Sequence, residues 1–277
     1  MDKYILSNGI EIPAIGFGTW HIKDKEIITS SISTAINNGY RHIDTASKYG
    51  NEEFIGEALI ENKFDRTKIF ITSKLWNTEK GYENTLRSFD ETLKRLKTDY
   101  LDLYLIHWAK TSDDWESVNI ETWKAFEKLY LDGKIKAIGV SNFTVDALKS
   151  LMNNCKIKPM VNQIEFHPGL MQNEVVNYCN KNNILIEAWS PLGSGKMLDN
   201  DVLISIAKKY NISTAQLCIK WCLQNGVLPL PKSITAERII ENYNVFDFCI
   251  TDEDMNTINN MEYFAGSGLD PNVVVKK

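Results

Sequence analysis

Gly39-Tyr-Arg-His-Ile-Asp-Thr-Ala-Ser-Lys-Tyr-Gly50 contains a complete passage from strand to loop. Gly39 stops the preceding helical pattern, and Tyr40–Asp44 reads as a short strand whose apolar run ends at the acid. Tyr49 follows five residues later, in the loop. A helix opens directly after it. Asn51 is expected to cap it, Glu52 and Glu53 lie in its first turn where the dipole favours acids, and Phe54, Ile55, Ala58 and Leu59 form its buried stripe. Strand, polar loop and helix in this order form the unit from which parallel sheets with helical crossovers are built.

Outward from this stretch the unit recurs. Strands are expected at Ala14–Gly18, Tyr40–Asp44, Ile69–Lys74, Tyr100–Ile106, Ile135–Val140, Met160–Gln163, Ile184–Trp189 and Val227–Leu230. Helices are expected at Lys25–Asn38, after Asn51, around Leu86–Leu96, and at Ile120–Leu131, Phe143–Asn153, Asn173–Asn180, Asp199–Tyr210 and Thr214–Gln224. The last of these carries the capping box Ser213-Thr-Ala-Gln216. Further helices begin at Ala236 and span Glu253–Met261. Lys3–Pro13 reads as a hairpin about Asn8-Gly9, placed to plug one end of a barrel. Eight strand–helix repeats in 277 residues, close to the ~250 such barrels take, indicate an α/β fold: a (β/α)8 TIM barrel with an N-terminal β-hairpin. With no linker or low-complexity segment in sight, residues 1–277 are expected to form one domain, with the hairpin at 3–13 and a C-terminal tail at 262–277.

Hydrophobic residues make up 43% of the chain and charged residues 24%, which supplies a core and argues against disorder. A net charge of −5 argues against nucleic-acid binding. The N-terminus has no apolar signal segment, and no apolar run approaches the ~18 residues of a membrane span, so a soluble, cytoplasmic, monomeric protein is expected. The five cysteines are scattered and odd in number, which reads as reduced thiols. The four histidines are dispersed, and no metal site is expected.

Active sites of such barrels lie at the C-terminal ends of the strands. Here nearly every strand ends in a polar residue: Asp44, Lys74, His107, Asn142, Gln163, Ser190 and Lys232. Singly, each has a structural explanation. Jointly they form a polar floor. Tyr49 is the candidate acid of a carbonyl reduction. A free phenol, with a pKa near ~10, is a weak acid at neutral pH. A lysine cation beside it is expected to lower that value, Asp44 to keep Lys74 charged, and His107 to orient a substrate oxygen. Trp20, Trp76 and Trp108 follow strand ends and would line the mouth. The electrons must come from elsewhere, and a nicotinamide hydride donor fits best. Gly16-Phe-Gly-Thr-Trp-His21 only superficially matches a dinucleotide fingerprint. The loops after the last two strands, Ser190–Gly195 and Lys232-Ser233-Ile234-Thr235 with Arg238, suit phosphates better and favour NADPH.

Several long stretches are similar to the aldo-keto reductase family: Gly39–Glu53 (GYRHIDTASKYGNEE), Asp99–Trp108 (DYLDLYLIHW), Gly133–Phe143 (GKIKAIGVSNF), Val161–Pro168 (VNQIEFHP), Ser190–Gly193 (SPLG) and Pro231–Asn242 (PKSITAERIIEN). The resemblance implies a catalytic tetrad of Asp44, Tyr49, Lys74 and His107, with small carbonyl compounds as substrates. It implies that Ser141, Asn142 and Gln163 hold the nicotinamide carboxamide and that Trp189 stacks on its ring. A tryptophan there resembles some bacterial members, such as diketogluconate and glyoxal reductases. Further cofactor contacts are implied for Gly18, Thr19, Trp20, Asp44, Ser190, Pro191, Leu192, Gly193 and Ile234. Lys232, Ser233, Thr235 and Arg238 would grip a 2′-phosphate, with Glu241 and Asn242 near the adenine. Trp20, Tyr49, Trp76, His107 and Trp108 would contact substrate. Two departures stand out. Ala109-Lys110 replaces the usual proline after His107-Trp108, so that loop is expected to sit differently, and the short tail suggests an open pocket for small aldehydes, dicarbonyls or sugar-derived ketones. Two rivals remain at this point: a cofactor-binding module with little turnover, and a Schiff-base lyase using Lys74.

Overall fold

The computed structural model describes residues 2–273. Strands β1 (Lys3–Ile5) and β2 (Glu11–Pro13) pair antiparallel as the N-terminal hairpin. Eight parallel strands follow in sequence order round one sheet: β3 (Phe17–Gly18), β4 (His42–Asp44), β5 (Phe70–Leu75), β6 (Leu101–Ile106), β7 (Ile135–Ser141), β8 (Val161–Glu165), β9 (Leu185–Trp189) and β10 (Leu228–Pro229). Between them run helices α1 (Lys25–Asn37), α2 (Glu52–Glu61), α3 (Tyr82–Leu96), α4 (Trp115–Leu131), α5 (Val145–Met152), α6 (Asn173–Lys181), α7 (Asp201–Lys209) and α8 (Thr214–Gln224), and α9 (Ala236–Tyr243) and α10 (Asp252–Asn259) follow β10.

The sheet closes on itself. The amide of Gly16 donates to the carbonyl of Pro229 (3.1 Å), and that of Gly18 to the carbonyl of Pro231 (3.0 Å). Leu230 turns its own amide the other way, to Ala188 of β9 (3.0 Å). The prolines thus occupy the positions whose N–H groups would face the seam, so the last strand only accepts there. That explains why β3 and β10 are so short. The glycines are required as well. A Cβ on Gly16 would lie 2.5 Å from Leu230 and 2.6 Å from His42, and one on Gly18 would press on the carbonyl of Leu230 at 3.0 Å.

Three helix starts differ from the sequence reading, each for a polar reason. α7 begins at Asp201 rather than Asp199 because the Asn200 side chain caps it, accepting from the amides of Val202 and Leu203. α4 begins at Trp115, well before Ile120, because its first turns bury polar residues. Asn119 bonds Lys80, and the Thr122 hydroxyl accepts from the amide of Gly81 at 2.8 Å. An apolar stripe cannot report such a face. α5 begins at Val145 rather than Phe143, since Asn142 sits at φ 58° and holds the chain out of the helix. The capping box of α8 is present as expected, with both of its hydrogen bonds.

Candidate active site

β4 and β5 are paired neighbours with Asp44 opposite Thr72, which brings Lys74 one turn of the pleat further along. The Lys74 ammonium, wholly buried, donates to Asp44 Oδ1 (2.7 Å), the carbonyl of Thr45 (3.0 Å) and the Tyr49 hydroxyl (3.2 Å). Tyr49 reaches this point because Ala46–Gly50 folds into a single 3-10 turn closed by Gly50 at φ 70°. The ring of His107 packs edge-on to Tyr49, centroids 5.8 Å apart, and to Trp76 at 5.1 Å. The four residues singled out in the sequence therefore meet.

Burial works against the charge of Lys74, but Asp44 and then Tyr49 outweigh it and hold its pKa above the ordinary lysine value. Such an ammonium is no Schiff-base nucleophile. Burial, and next the charge of Lys74, push the His107 imidazole well below its usual range, so it is neutral. Its Nδ1 has no hydrogen-bond partner among the described residues. Tyr49 corrects the sequence reading. Burial raises its pKa, Lys74 pulls it down, Asp44 pushes it up again, and the net direction is upward, not downward. Burial thus favours the protonated phenol.

A second cluster adjoins the first. The Gln163 side-chain amide donates to Asp44 Oδ2 (2.9 Å) and to Glu187 Oε2 (2.8 Å). Ser141 Oγ donates to the carbonyl of Gln163 (2.9 Å). Asn142 Nδ2 donates to the carbonyl of His107 (3.0 Å), and its Oδ1 accepts from the indole Nε1 of Trp189 (2.8 Å). Five of the seven strand-end residues are thus tied into one network. Ser190 and Lys232 lie apart from it, toward the surface.

Those two belong to a third region. Ser190 (φ 54°), Gly193 (φ 53°) and Ser194 (φ 56°) make a tight loop after β9, with Ser190 Oγ accepting from the amide of Ser194. Pro191 and Gly193 are buried, and Leu192 is half-buried. After β10, Lys232, Ile234, Thr235 and Arg238 are exposed, and Ser233 Oγ accepts from the amide of Thr235 (3.1 Å). Among the described residues no side chain caps α9, which leaves its first amides without a partner there. Neither Lys232 nor Arg238 forms a salt bridge among the described residues. Unpaired cations beside a free helix N-terminus suit an anion. Glu241 and buried Asn242 lie further along the same helix.

Trp20, 45% exposed, packs on Tyr49 at 4.6 Å between centroids, while Trp108 is buried. A cleft of about 570 Å³ opens beside Trp108 and Trp189. Its outer wall is the tail, through Tyr263, Leu269 and Pro271. Glu165 holds that tail by accepting from the amide (2.7 Å) and hydroxyl (2.6 Å) of Ser267, and Lys196 donates to the carbonyl of Gly266 (3.0 Å). The tail is therefore a wall of this cleft. Its residues 274–277 lie outside the described residues.

The surroundings of three buried polar side chains near the site escaped the sequence reading. Asn51 caps nothing. It turns inward, accepting from Thr45 (2.7 Å) and donating to the carbonyls of Thr19 and Ile22 (both 3.0 Å), and so fixes the loop that carries Trp20 against the Tyr49 loop. Thr19 completes this junction with its hydroxyl on the carbonyl of Asp44 (2.9 Å). Lys80 is buried without a carboxylate. It donates to the carbonyls of Trp108 (2.6 Å) and Ala109 (3.0 Å), to Thr111 Oγ1 (3.2 Å) and to Asn119 Oδ1 (2.8 Å). Burial draws its pKa down to about 7. This ammonium pins the loop that lacks the usual proline. Glu187, the third, stands in mid-strand, where a carboxyl flanked by Ile186 and Ala188 was the available signal.

No group of three or more His, Cys, Asp or Glu placed to hold a metal occurs among the described residues, and no helix among them is long and apolar enough to cross a membrane. The aldo/keto reductase family model matches residues 14–262. Glyoxal reductase of Bacillus subtilis is 50% identical over 270 residues, covering 98% of this chain and 96% of that protein. A crystal structure of an aldo/keto reductase from Brucella melitensis superimposes with a TM-score of 0.89 at 45% identity, over 93% of this chain and 98% of that one. A silkworm aldo-keto reductase complexed with NADPH does so with a TM-score of 0.89 at 35% identity, over 95% and 88%. The matched model spans the strands that carry the Lys74 cluster, the Gln163 network and the loops after β9 and β10, and with these relatives it shows that the chain belongs to the aldo/keto reductase family.

Proposed function

We propose that this protein reduces the carbonyl group of small aldehydes, dicarbonyls or sugar-derived ketones to an alcohol with NADPH, and that Tyr49 donates the proton. The observation that carries this reading is the Lys74 ammonium, held by Asp44 at 2.7 Å and touching the Tyr49 hydroxyl at 3.2 Å beside a neutral His107. NADPH supplies the hydride when bound. The residues present fit it. Gln163, Ser141 and Trp189, tied into one hydrogen-bond network, would hold the nicotinamide, and Lys232 and Arg238, without salt bridges among the described residues, would hold a 2′-phosphate with the start of α9.

Each side chain then has a task. A neutral His107 offers a single N–H to the substrate oxygen and fixes its direction. Tyr49 keeps its proton in the resting site because burial disfavours phenolate. As alkoxide character grows on the substrate oxygen, that oxygen becomes a far stronger base than phenolate, and the proton crosses. Lys74 stabilises the phenolate left behind, and Asp44 keeps Lys74 charged and in place. Trp20 packs on Tyr49 and Trp76 on His107, which narrows the access of water to the pair. The sequence relationship to glyoxal reductase supports a small dicarbonyl among the substrates.

Tyr49→Phe removes the proton and leaves the ring. Steady-state NADPH oxidation with glyoxal is expected to fall by about a factor of 10³, within the range for general acids. NADPH affinity, read by fluorescence titration, is expected to stay within about twofold, since no phosphate or ribose contact is lost. Wild-type turnover in this variant would refute the assignment.

A further inference from the structure

Glu187 is a wholly buried carboxyl in the middle of β9, and the reduction as described makes no use of it. Strand alternation puts it on the same face as Trp189, toward the barrel axis. Its Oε2 accepts from Gln163 Nε2 at 2.8 Å, and the same nitrogen donates to Asp44 Oδ2 at 2.9 Å. A primary amide has two N–H groups, and here both are spent on carboxyl oxygens. Only the amide oxygen of Gln163 is left to meet anything else. Glu187 Oε1 has no partner among the described residues, so this carboxyl is held through Gln163 alone.

We propose that Glu187 is a positioning residue for the reduction: with Asp44 it claims both N–H groups of Gln163, which fixes the orientation of that amide and presents its oxygen to the amide nitrogen of the nicotinamide carboxamide. The proposal rests on the NADPH reading above. It adds a gatekeeping role for charge. Of the strands flanking β9, β10 sets Leu228 opposite Glu187 and brings no ionisable group, while β8 brings Gln163. The charges acting on Glu187 are Asp44 and Lys74. Burial first, and Asp44 second, raise its pKa to about 8, against smaller opposing effects of Gln163 and Lys74. At neutral pH it is protonated, and the cluster holds one anion, Asp44, against one cation, Lys74. Ionised, it adds a second anion next to the pair that must stabilise a Tyr49 phenolate, so the proton transfer slows as pH rises through about 8.

Two variants test this. Glu187→Leu removes the acceptor and frees one N–H of Gln163 to turn. It is expected to weaken NADPH by about tenfold, the size of one misdirected hydrogen bond. Glu187→Gln keeps an acceptor toward Gln163 but cannot ionise. Its kcat for glyoxal is expected to lose the downward inflection near pH 8, whereas in the wild type kcat falls about fivefold or more between pH 7 and pH 9. Far-ultraviolet circular dichroism and thermal unfolding establish that both variants are folded. A Glu187→Leu protein that binds NADPH like the wild type, or a Glu187→Gln protein that keeps the wild-type inflection, overturns the assignment of Glu187. The Glu187→Gln arm stands alone should the leucine variant fail to fold. Wild-type protein that binds no NADPH overturns instead the functional reading, and the proposal with it.

Discussion

Replacing Lys74 with methionine tests the centre of the mechanism, because methionine fills the same buried channel without charge. Three hydrogen bonds are lost, to Asp44 Oδ1, the carbonyl of Thr45 and the Tyr49 hydroxyl. No water replaces them in place, since Lys74 is wholly buried and Asp44 nearly so. Breaking a buried ion pair from one side costs about 3–5 kcal/mol of stability. Asp44 keeps its bond from Gln163, which points to the lower end, about 3 kcal/mol. The catalytic loss is separate. A cation 3.2 Å from a phenolate oxygen stabilises it by about 5 kcal/mol at an effective dielectric constant of about 20. Asp44 remains behind and opposes phenolate, so nothing offsets that loss. At about 1.4 kcal/mol per tenfold, kcat is expected to fall by a factor of about 10³ to 10⁴. Single-turnover NADPH oxidation measures the chemical step, urea unfolding the stability, and fluorescence titration the cofactor affinity. A folded variant whose single-turnover rate stays within tenfold of wild type would show that the lysine charge does not stabilise the phenolate.

Lys80→Met leaves the carbonyl of Trp108 and Oδ1 of Asn119 without their donor, while Ala109 keeps a bond from Asn119 Nδ2 at 3.1 Å; a loss of about 2 kcal/mol in urea unfolding is expected, together with a raised KM for carbonyl substrate as Trp108 loosens, and an unchanged KM would separate Lys80 from the substrate wall. Lys232→Ala and Arg238→Ala are each expected to weaken NADPH by about tenfold or more and NADH by much less, as befits charges facing a 2′-phosphate; equal losses for the two cofactors in fluorescence titration would remove that role.

The barrel and the meeting of Asp44, Tyr49, Lys74 and His107 were legible because strand ends are punctuated. An apolar run that stops at a polar residue marks both the end of the strand and the face on which the residue emerges. The same rule is blind to residues that act from inside an element or in place of a cap. Asn51 looks like any helix cap, and only the approach of the loop at Thr19–Ile22 turns its amide inward. Lys80 looks like a solvated charge, and only the polar first turns of α4 make a cage for it. The seam between Gly16–Gly18 and Pro229–Pro231 joins the two ends of the sheet, and no local pattern announces which carbonyls will be needed there.

Depth is the quantity hardest to read from residue order, and it decided the one electrostatic expectation that reversed. A lysine near a phenol lowers its pKa in the open, yet burial of the hydroxyl and the nearby Asp44 prevail over Lys74. The reversal changes what the pair is for. A site that lowered the phenol far enough would hold phenolate at rest and have no proton to give. On the reading proposed above, burial keeps the proton on Tyr49 at rest, and the charge of Lys74 is spent on the transition state rather than on the resting enzyme. Glu187 follows the same logic from the other side of Asp44: kept neutral by the same burial, it leaves the balance of one anion and one cation undisturbed until pH rises.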